Sequence, residues 1–162
     1  MVGAMTEMQA PISPRDSETQ MTEQVLPQHA NVLGTAFGGT IMGWIDICAA
    51  IAAQRHCGRT PVTVFVDDLH FKVPIRVGDV VCVHGRLTQA FRSSMEVCVR
   101  VTRERPGCRD HVLSVEALLV FVNVGEDGKT LPVPPLKLET DEDRRLAAEA
   151  DARRVARKAS RS

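Results

Sequence analysis

The sequence has few aromatic residues and no excess of either charge. Phe and Trp together make up 4% of the 162 residues, and tyrosine is absent. Twenty Lys and Arg balance twenty Asp and Glu, which gives a formal net charge of zero. A generally basic, nucleic-acid-binding surface is therefore not expected. The length suits one domain with a sizeable core.

The five cysteines include no C-x-x-C pair. Three of them, Cys48, Cys82 and Cys98, lie in apolar runs, where a free cysteine behaves as a small hydrophobic residue. An odd number without metal-ligand spacing favours neither a disulfide framework nor a zinc site. The N-terminus also lacks a basic segment followed by an apolar run. We therefore expect a cytoplasmic protein without a metal ion or a secretory signal.

One long segment is almost entirely apolar. Residues 36–53 read A-F-G-G-T-I-M-G-W-I-D-I-C-A-A-I-A-A and contain a single ionisable side chain, Asp46. A helix that is apolar on every side is normally buried, and Gly58 would suit a left-handed C-cap. A membrane span is disfavoured because a charge at mid-bilayer costs about 2.5–3.5 kcal/mol. The sequence predicts a soluble core helix, ending near Cys57, and no membrane partner.

The remaining chain alternates as β-strands do. A weak strand over Glu18–Leu26 precedes the helix, and four longer runs follow it at Val62–Phe71, Val80–Thr88, Ser94–Arg103 and Val112–Val124. Short turns between these runs favour an antiparallel sheet. The predicted class is α+β, with a curved antiparallel sheet wrapped around the buried helix.

The sequence divides into three predicted parts. Residues 1–17 lack any period and suggest a flexible leader, and residues 18–138 form the main domain. Residues 139–162 predict a charged helix with Thr140 and Asp143 as a capping box. Acidic residues crowd its first turn and basic residues its last, as the helix dipole favours.

Three features of the long helix and its preceding loop carry possible chemistry. Asp46 is a carboxylate in an apolar helix, and both a catalytic and a purely structural role remain open for it. Gly38 and Gly39 expose N–H groups that could stabilise an oxyanion, or they form a tight junction. Asn31 could orient a carbonyl or a water, or it could form the turn before Gly34.

Four motifs in order resemble one family. The run N-x-x-G-x-x-F-G-G-x-x-M-x-W-I-D, residues 31–46, resembles the acyl-CoA thioesterases of the hotdog-fold superfamily. The branch is that of bacterial short- and medium-chain acyl-CoA hydrolases and the mammalian cytosolic acyl-CoA hydrolase. Residues 68–79, residues 92–97 and the L-P-V-P-P-L segment with its following charged helix match further family features.

The resemblance implies a hotdog fold and a particular assembly. Two subunits would pair edge to edge into a homodimer, and three dimers would form a hexamer, a trimer of dimers. The sites would lie at the dimer interface, with Asn31 and Asp46 of one site coming from different subunits. Asp46 would be the general base or the nucleophile, Asn31 would hold the thioester or the water, and Gly38 and Gly39 would stabilise the oxyanion.

The resemblance also implies the substrate contacts. Residues expected to contact the coenzyme A moiety are Lys72, Arg92, Ser93 and Ser94. The acyl chain would lie along Phe37 and Met42.

The implied reaction is hydrolysis of acyl-CoA to a free acid and coenzyme A, with no further cofactor. The alternative is a non-catalytic hotdog module that binds acyl-CoA as a sensor or an assembly unit, which would need neither Asn31 nor Asp46. A hotdog dehydratase or hydratase would rely on a histidine, and the long helix is expected to carry none.

Overall fold

A five-stranded antiparallel sheet packs against one face of a long helix. The computed structural model describes residues 9–162. Its helices are α1 (Pro14–Ser17), α2 (Gly38–Cys57) and α3 (Asp141–Ala159), with a short 3-10 turn at Pro27–His29. The strands are β1 (Thr19–Gln24), β2 (Val62–Phe71), β3 (Val80–Ala90), β4 (Ser94–Glu104) and β5 (His111–Val122). The sheet order is β1-β3-β4-β5-β2, so β1 and β2 are its edges.

The predicted strands and helices are confirmed, with bounds that shift by one to two residues. The alternation of apolar and polar residues predicts that one face of β3 and of β4 lies in the core. Val83, Val97 and Val99 on these faces are fully buried. Gly58 ends α2 with a φ of 71°, the left-handed C-cap that the sequence predicted. Gly85 lets α2 approach closely, because a Cβ atom there would lie 3.2 Å from Cys48 Sγ.

The helix α2 is buried on one face only. Ile41, Ile45 and Cys48 face the sheet with at most 1% exposure, whereas Met42 and Ile47 are 43% and 51% exposed. The prediction of a helix enclosed on every side is therefore wrong for a single protomer. An apolar pattern shows that a face needs a partner, but it does not show whether that partner belongs to the same chain.

The prediction that this helix carries no histidine is also wrong. Because α2 continues to Cys57, it includes His56, which is 1% exposed. Its Nε2 atom lies 2.7 Å from the Pro134 carbonyl oxygen. Burial lowers the pKa of His56, which favours the neutral ring. Ten residues separate it from Asp46, about 15 Å along the helix axis.

Part of the predicted flexible leader is ordered. Ile12 bridges Leu136, with backbone hydrogen bonds of 3.0 Å from Ile12 N to Pro135 O and 2.8 Å from Lys137 N to Ile12 O. The helix α1 follows, and Ser17 is fully buried. The prediction of a loose leader is therefore wrong from Ile12 onward, while residues 1–8 lie outside the described residues. A four-residue helix is too short to show a period in the sequence.

The charged helix α3 lies over the opposite face of the sheet from α2. Thr140 and Asp143 form the predicted capping box, with Asp143 N donating to Thr140 Oγ1 at 3.1 Å. Glu96 on β4 is fully buried and accepts two hydrogen bonds from Arg153, at 2.6 and 3.1 Å. Over the described residues, no helix is both long and apolar enough to cross a membrane.

Candidate functional site

Asp46 lies at the mouth of an apolar cleft between α2 and β2. The Thr63 hydroxyl donates to Asp46 Oδ1 at 2.7 Å and ties the carboxylate to the sheet. The cleft has a volume of about 330 Å³, and its lining residues are Met42, Gly43, Ile45, Asp46, Thr63, Val66, Leu69 and Leu119. We refer to it as the Asp46 cleft. It contains one ionisable group among otherwise apolar or small side chains, an arrangement that suits a base acting beside an apolar substrate.

Thr63 is the site residue that sequence reasoning missed. It stands in the run V-T-V-F-V at the start of β2, where a threonine reads as an ordinary β-former. One feature of the sequence could have indicated Thr63: it is a polar residue in a strand that follows the helix carrying Asp46 and must pack beside it. Only the fold shows that the two side chains meet.

The start of α2 offers two unpaired donors. Thr40 N and Ile41 N both donate to the Phe37 carbonyl, at 3.1 and 3.2 Å. Within residues 9–162, the N–H groups of Gly38 and Gly39 have no acceptor. A Cβ atom at Gly39 would meet nothing within 4 Å, whereas one at Gly38 would lie 3.5 Å from Phe71 Cζ. The positive end of the helix dipole therefore has open space at Gly39, where an oxyanion could approach, and an aromatic ring beside Gly38.

Asn31 stabilises its own loop in the protomer. Its Oδ1 accepts from Leu33 N at 2.9 Å, and its Nδ2 donates to Thr35 Oγ1 at 2.8 Å. These contacts match the turn-forming alternative that the sequence left open. Among the described residues, no hydrogen bond joins Asn31 to Asp46, and Asn31 does not line the Asp46 cleft. A single protomer does not bring these two predicted residues together.

The residues predicted to contact coenzyme A fall in two places. Lys72 lines a second cleft, of about 370 Å³, that includes Ile41 of α2 and Phe71. Ser94 lines a third cleft beside α3. The neighbouring Arg92 and Ser93 accept backbone hydrogen bonds from Val133 and Asn123, both at 2.9 Å.

The strand register gives the distance between Ser94, the first residue of β4, and the Asp46 cleft. Ser94 pairs with Val122, and Val122 pairs with Val62, the residue before Thr63. Two strand spacings, about 10 Å, therefore separate Ser94 from the start of β2.

The two residues predicted to contact the acyl chain also differ in position. Met42 lines the Asp46 cleft, as the prediction requires. Phe37 is the N-cap of α2, is 49% exposed, and does not line that cleft. Within the described part of the chain, no group of three or more His, Cys, Asp or Glu side chains is placed to hold a metal ion.

Comparison with known proteins identifies the family. The model of the thioesterase superfamily matches residues 33–109. An uncharacterized acyl-CoA thioester hydrolase of Bacillus subtilis is 38% identical over 129 residues, which cover 80% of this chain and 75% of that protein. The chain spans only 24% to 39% of the mammalian acyl-CoA thioesterases that it matches.

Solved structures agree with the sequence match. An apo-hexameric acyl-CoA thioesterase superposes with a TM-score of 0.90 at 37% identity, covering 94% of this chain and 98% of that one. An acyl-CoA hydrolase of Staphylococcus aureus, in complex with butyryl coenzyme A and coenzyme A, superposes at 0.85 with 35% identity, covering 93% and 92%.

The Staphylococcus aureus hydrolase has also been solved with alanine in place of an asparagine, an aspartate or a threonine. In that protein the asparagine precedes the aspartate by 15 positions, and the threonine follows it by 17. Asn31, Asp46 and Thr63 have the same separations here. Taken together, the sequence and structural matches show that the chain belongs to the thioesterase superfamily, as a hotdog-fold member of its acyl-CoA thioester hydrolases.

Proposed function

We propose that this protein hydrolyses the thioester of acyl-CoA at Asp46, releasing a free acid and coenzyme A. The observation that carries the assignment of the site is the Asp46 cleft, where Thr63 holds one carboxylate among apolar walls. The relatives named as acyl-CoA thioester hydrolases support the choice of substrate. A sensor module would bind acyl-CoA without needing this carboxylate.

Asp46 acts on water or on the thioester itself. As a general base it takes a proton from water while the oxygen adds to the thioester carbonyl. The Gly38 and Gly39 N–H groups then stabilise the oxyanion, the carbon–sulfur bond breaks, and the coenzyme A sulfur takes the proton. As a nucleophile Asp46 adds to the thioester carbonyl, the carbon–sulfur bond breaks and coenzyme A leaves as the thiolate, which takes a proton from water. Water then hydrolyses the acyl-enzyme anhydride, releasing the free acid and restoring the Asp46 carboxylate. In both routes Thr63 orients the carboxylate through its hydroxyl hydrogen.

We propose further that each site is completed by a second protomer. The strand β2 pairs only with β5 in the described chain, so its outer edge offers unpaired backbone groups. Val62, Val64 and Phe71 on this edge strand are 44%, 50% and 51% exposed. Pairing of two β2 edges would cover this strand and the open face of α2, and Asn31 would then enter the partner's site.

The remaining parts of the proposal concern the substrate contacts, the assembly and the cofactor. Lys72, Arg92, Ser93 and Ser94 contact the coenzyme A portion, and Phe37 and Met42 contact the acyl chain. Three dimers assemble into a hexamer, the state named for the apo-hexameric acyl-CoA thioesterase. Water is the only co-reactant, so the reaction needs no cofactor. The five cysteines are all free, which suits the reducing cytoplasm.

The test is release of free thiol from a panel of acyl-CoAs by the wild type and by Asp46→Asn. Asparagine keeps the shape and removes the base, so we expect kcat to fall by ~10²–10⁴. Asp151→Asn, an exposed carboxylate on α3, is the matched control and should retain full activity. If neither the wild type nor Asp46→Asn releases thiol while both bind acyl-CoA, the proposal is wrong and the protein is a binding module.

A further inference from the structure

One position of α2 that lines the Asp46 cleft has no side chain. Gly43 lies inside the helix, three residues before Asp46, and borders the cleft together with Met42. In the described protomer, a Cβ atom at Gly43 would meet nothing within 4 Å. Steric crowding within the protomer therefore does not require a glycine here.

The backbone of Gly43 gives no reason for a glycine either. It is helical, whereas the glycines with a positive φ are Gly58 at the C-cap of α2 and four others outside this helix. Alanine has a higher helix propensity than glycine and would stabilise α2 at this position. A helix glycine without a structural reason indicates that something other than the protomer itself uses the space beside it.

The walls of the Asp46 cleft favour the acyl part of the substrate over the pantetheine part. Of the eight described residues that line it, Asp46 and Thr63 alone have polar side chains, and the Thr63 hydroxyl already donates to the carboxylate. The two amides of pantetheine would lose their hydrogen bonds to water and find few partners on the other walls. An acyl chain has no such groups beyond its carbonyl.

The place of Gly43 along the helix relates it to one part of the acyl chain. The lining residues of α2 other than Asp46 are Met42, Gly43 and Ile45, so the cleft extends from Asp46 toward the start of the helix. The thioester carbonyl carbon lies within about 3–3.5 Å of the attacking oxygen, at or beside Asp46. Gly43 is about 4.5 Å from Asp46 along the helix axis. The first carbon after the carbonyl therefore lies beside Gly43.

We infer that Gly43 admits acyl groups that branch at the carbon next to the thioester carbonyl. A methyl branch at that carbon needs the width that a Cβ atom at Gly43 would take, whereas a straight chain does not. Met42 and Ile47 are exposed on the open face of α2 beside Gly43, so a partner protomer that rests on these longer side chains would leave a gap above it. The inference specifies the substrate class of the proposed function and rests on that function.

Gly43→Ala tests this assignment with two substrates of equal composition. Isobutyryl-CoA has the branch and butyryl-CoA does not. We expect Gly43→Ala to lower kcat/KM for isobutyryl-CoA about tenfold or more, the usual effect of one methylene group in an apolar pocket, and to change that for butyryl-CoA less than about twofold. Thiol release measures both values. The variant should unfold at a higher urea concentration than the wild type, which shows that its fold is intact.

Ile47→Val is the matched control. It changes the open face of α2 by one methyl group outside the cleft, so the ratio of the two kcat/KM values should stay as in the wild type. An unchanged ratio in Gly43→Ala would overturn the inference. If both values fall together while sedimentation velocity shows dissociation, the glycine serves contact between protomers and not the acyl group.

Binding of unreactive thioethers separates this inference from the proposed function. In S-isobutyl and S-butyl coenzyme A a methylene group replaces the carbonyl, so calorimetry measures binding without hydrolysis. We expect Gly43→Ala to bind the S-isobutyl compound about tenfold more weakly than the wild type does, and the S-butyl compound equally well. If this holds for a protein that releases no thiol, the proposed function is wrong but Gly43 still selects branched acyl groups. If the wild type hydrolyses both substrates and Gly43→Ala binds both thioethers as the wild type does, the inference is wrong and the proposed function stands.

Discussion

At the scale of single residues, the hydrogen bond from Thr63 orients the Asp46 carboxylate, the group proposed to react. Asp46 projects from the open face of α2, where its side chain would otherwise be free to rotate. The Thr63 hydroxyl, 2.7 Å from Oδ1, restricts it and leaves Oδ2 for the reaction. The carboxylate is thus oriented by β2, an edge strand of the sheet that follows α2 after a short loop.

Replacing Thr63 by valine should therefore lower kcat about ten- to a hundredfold, the usual value of a hydrogen bond to a charged group. Valine keeps the shape and the β-branching, so the fold should survive, and Thr63→Ser should retain most of the activity. Steady-state thiol release measures the effect, with Thr22→Val on the exposed edge of β1 as the control. Full activity of Thr63→Val would show that Asp46 does not depend on this contact.

The cysteines provide a second test at this scale. Burial raises the pKa of Cys48 to about 11, while Cys108 is exposed. The thiolate is the form that reacts, and at pH 8 only about one Cys48 in a thousand would be ionised. Iodoacetamide at pH 8 should label Cys108 in the native protein and leave Cys48 unmodified until urea is added, as mass spectrometry of peptides would show. Equal rates for the two thiols would contradict the packing of α2 on β3.

From the sequence, Asp46 and both glycines of the helix start could be named as candidates, but Thr63 could not. A single carboxylate in eighteen apolar residues is visible without a structure. The role of Thr63 is not visible in the sequence, because its hydroxyl finds a partner only when the helix that carries Asp46 packs beside β2. The structural contacts of Asn31 likewise follow from the local loop, whereas the catalytic role proposed for it would depend on a second chain.

At the scale of elements, Asp143 fastens α3 and the N-terminal segment to the sheet. Its buried carboxylate accepts hydrogen bonds from Arg15 at 3.2 and 3.3 Å and is paired with Arg86 of β3. Burial alone would raise the pKa of Asp143, but the hydrogen bonds from Arg15 and from the Glu139 and Thr140 N–H groups outweigh it. Together they hold the pKa of this carboxyl well below its usual range.

Removing this charge should destabilise the fold and change its response to acid. Because the pKa of Asp143 is lower in the folded than in the unfolded chain, its stabilisation is complete above the unfolded value of about 3.9 and is lost as the pH falls below it. We expect Asp143→Asn to lower the free energy of unfolding at pH 7 by about 3 kcal/mol, as for other broken buried ion pairs.

Urea unfolding at pH 5 and pH 3 is the measurement. The wild type should lose more stability between these values than Asp143→Asn, which has no carboxyl to protonate at this position. Asp141→Asn in the same helical turn, where the carboxyl is fully exposed, is the control. Identical pH dependence in the wild type and Asp143→Asn would mean that this contact does not fasten α3.

Most elements could be predicted because their sequence period matches their burial. Met95, Val97, Val99 and Val101 alternate along β4 and are all fully buried. The capping box of α3, Thr140 and Asp143, could also be predicted from the sequence. The helix α1 could not be predicted because four residues show no period, and the bridge at Ile12 could not because it depends on contact with the distant Leu136.

At the scale of the whole molecule, α2 is half exposed because nothing in the described protomer covers one of its faces. Its apolar residues and the unpaired edge of β2 form one surface that the protomer leaves uncovered. A sequence records that this surface is apolar but not what covers it. Under the proposed pairing of two β2 edges, the separation between Asn31 and the Asp46 cleft in one protomer has the same origin.

Complementation between two inactive variants tests this account most directly. Asp46→Asn and Asn31→Ala would be co-expressed with different affinity tags and purified over both tags, and thiol release from acyl-CoA would be measured. If each site combines Asn31 of one protomer with Asp46 of the other, a mixed dimer has one intact site and one doubly defective site. Random pairing makes about half of the dimers in a hexamer mixed, so we expect activity at least about tenfold above that of either variant alone, approaching about a quarter of that of the wild type. Mixed assemblies that remain as inactive as the parent variants would place both residues in the same protomer and contradict the shared site.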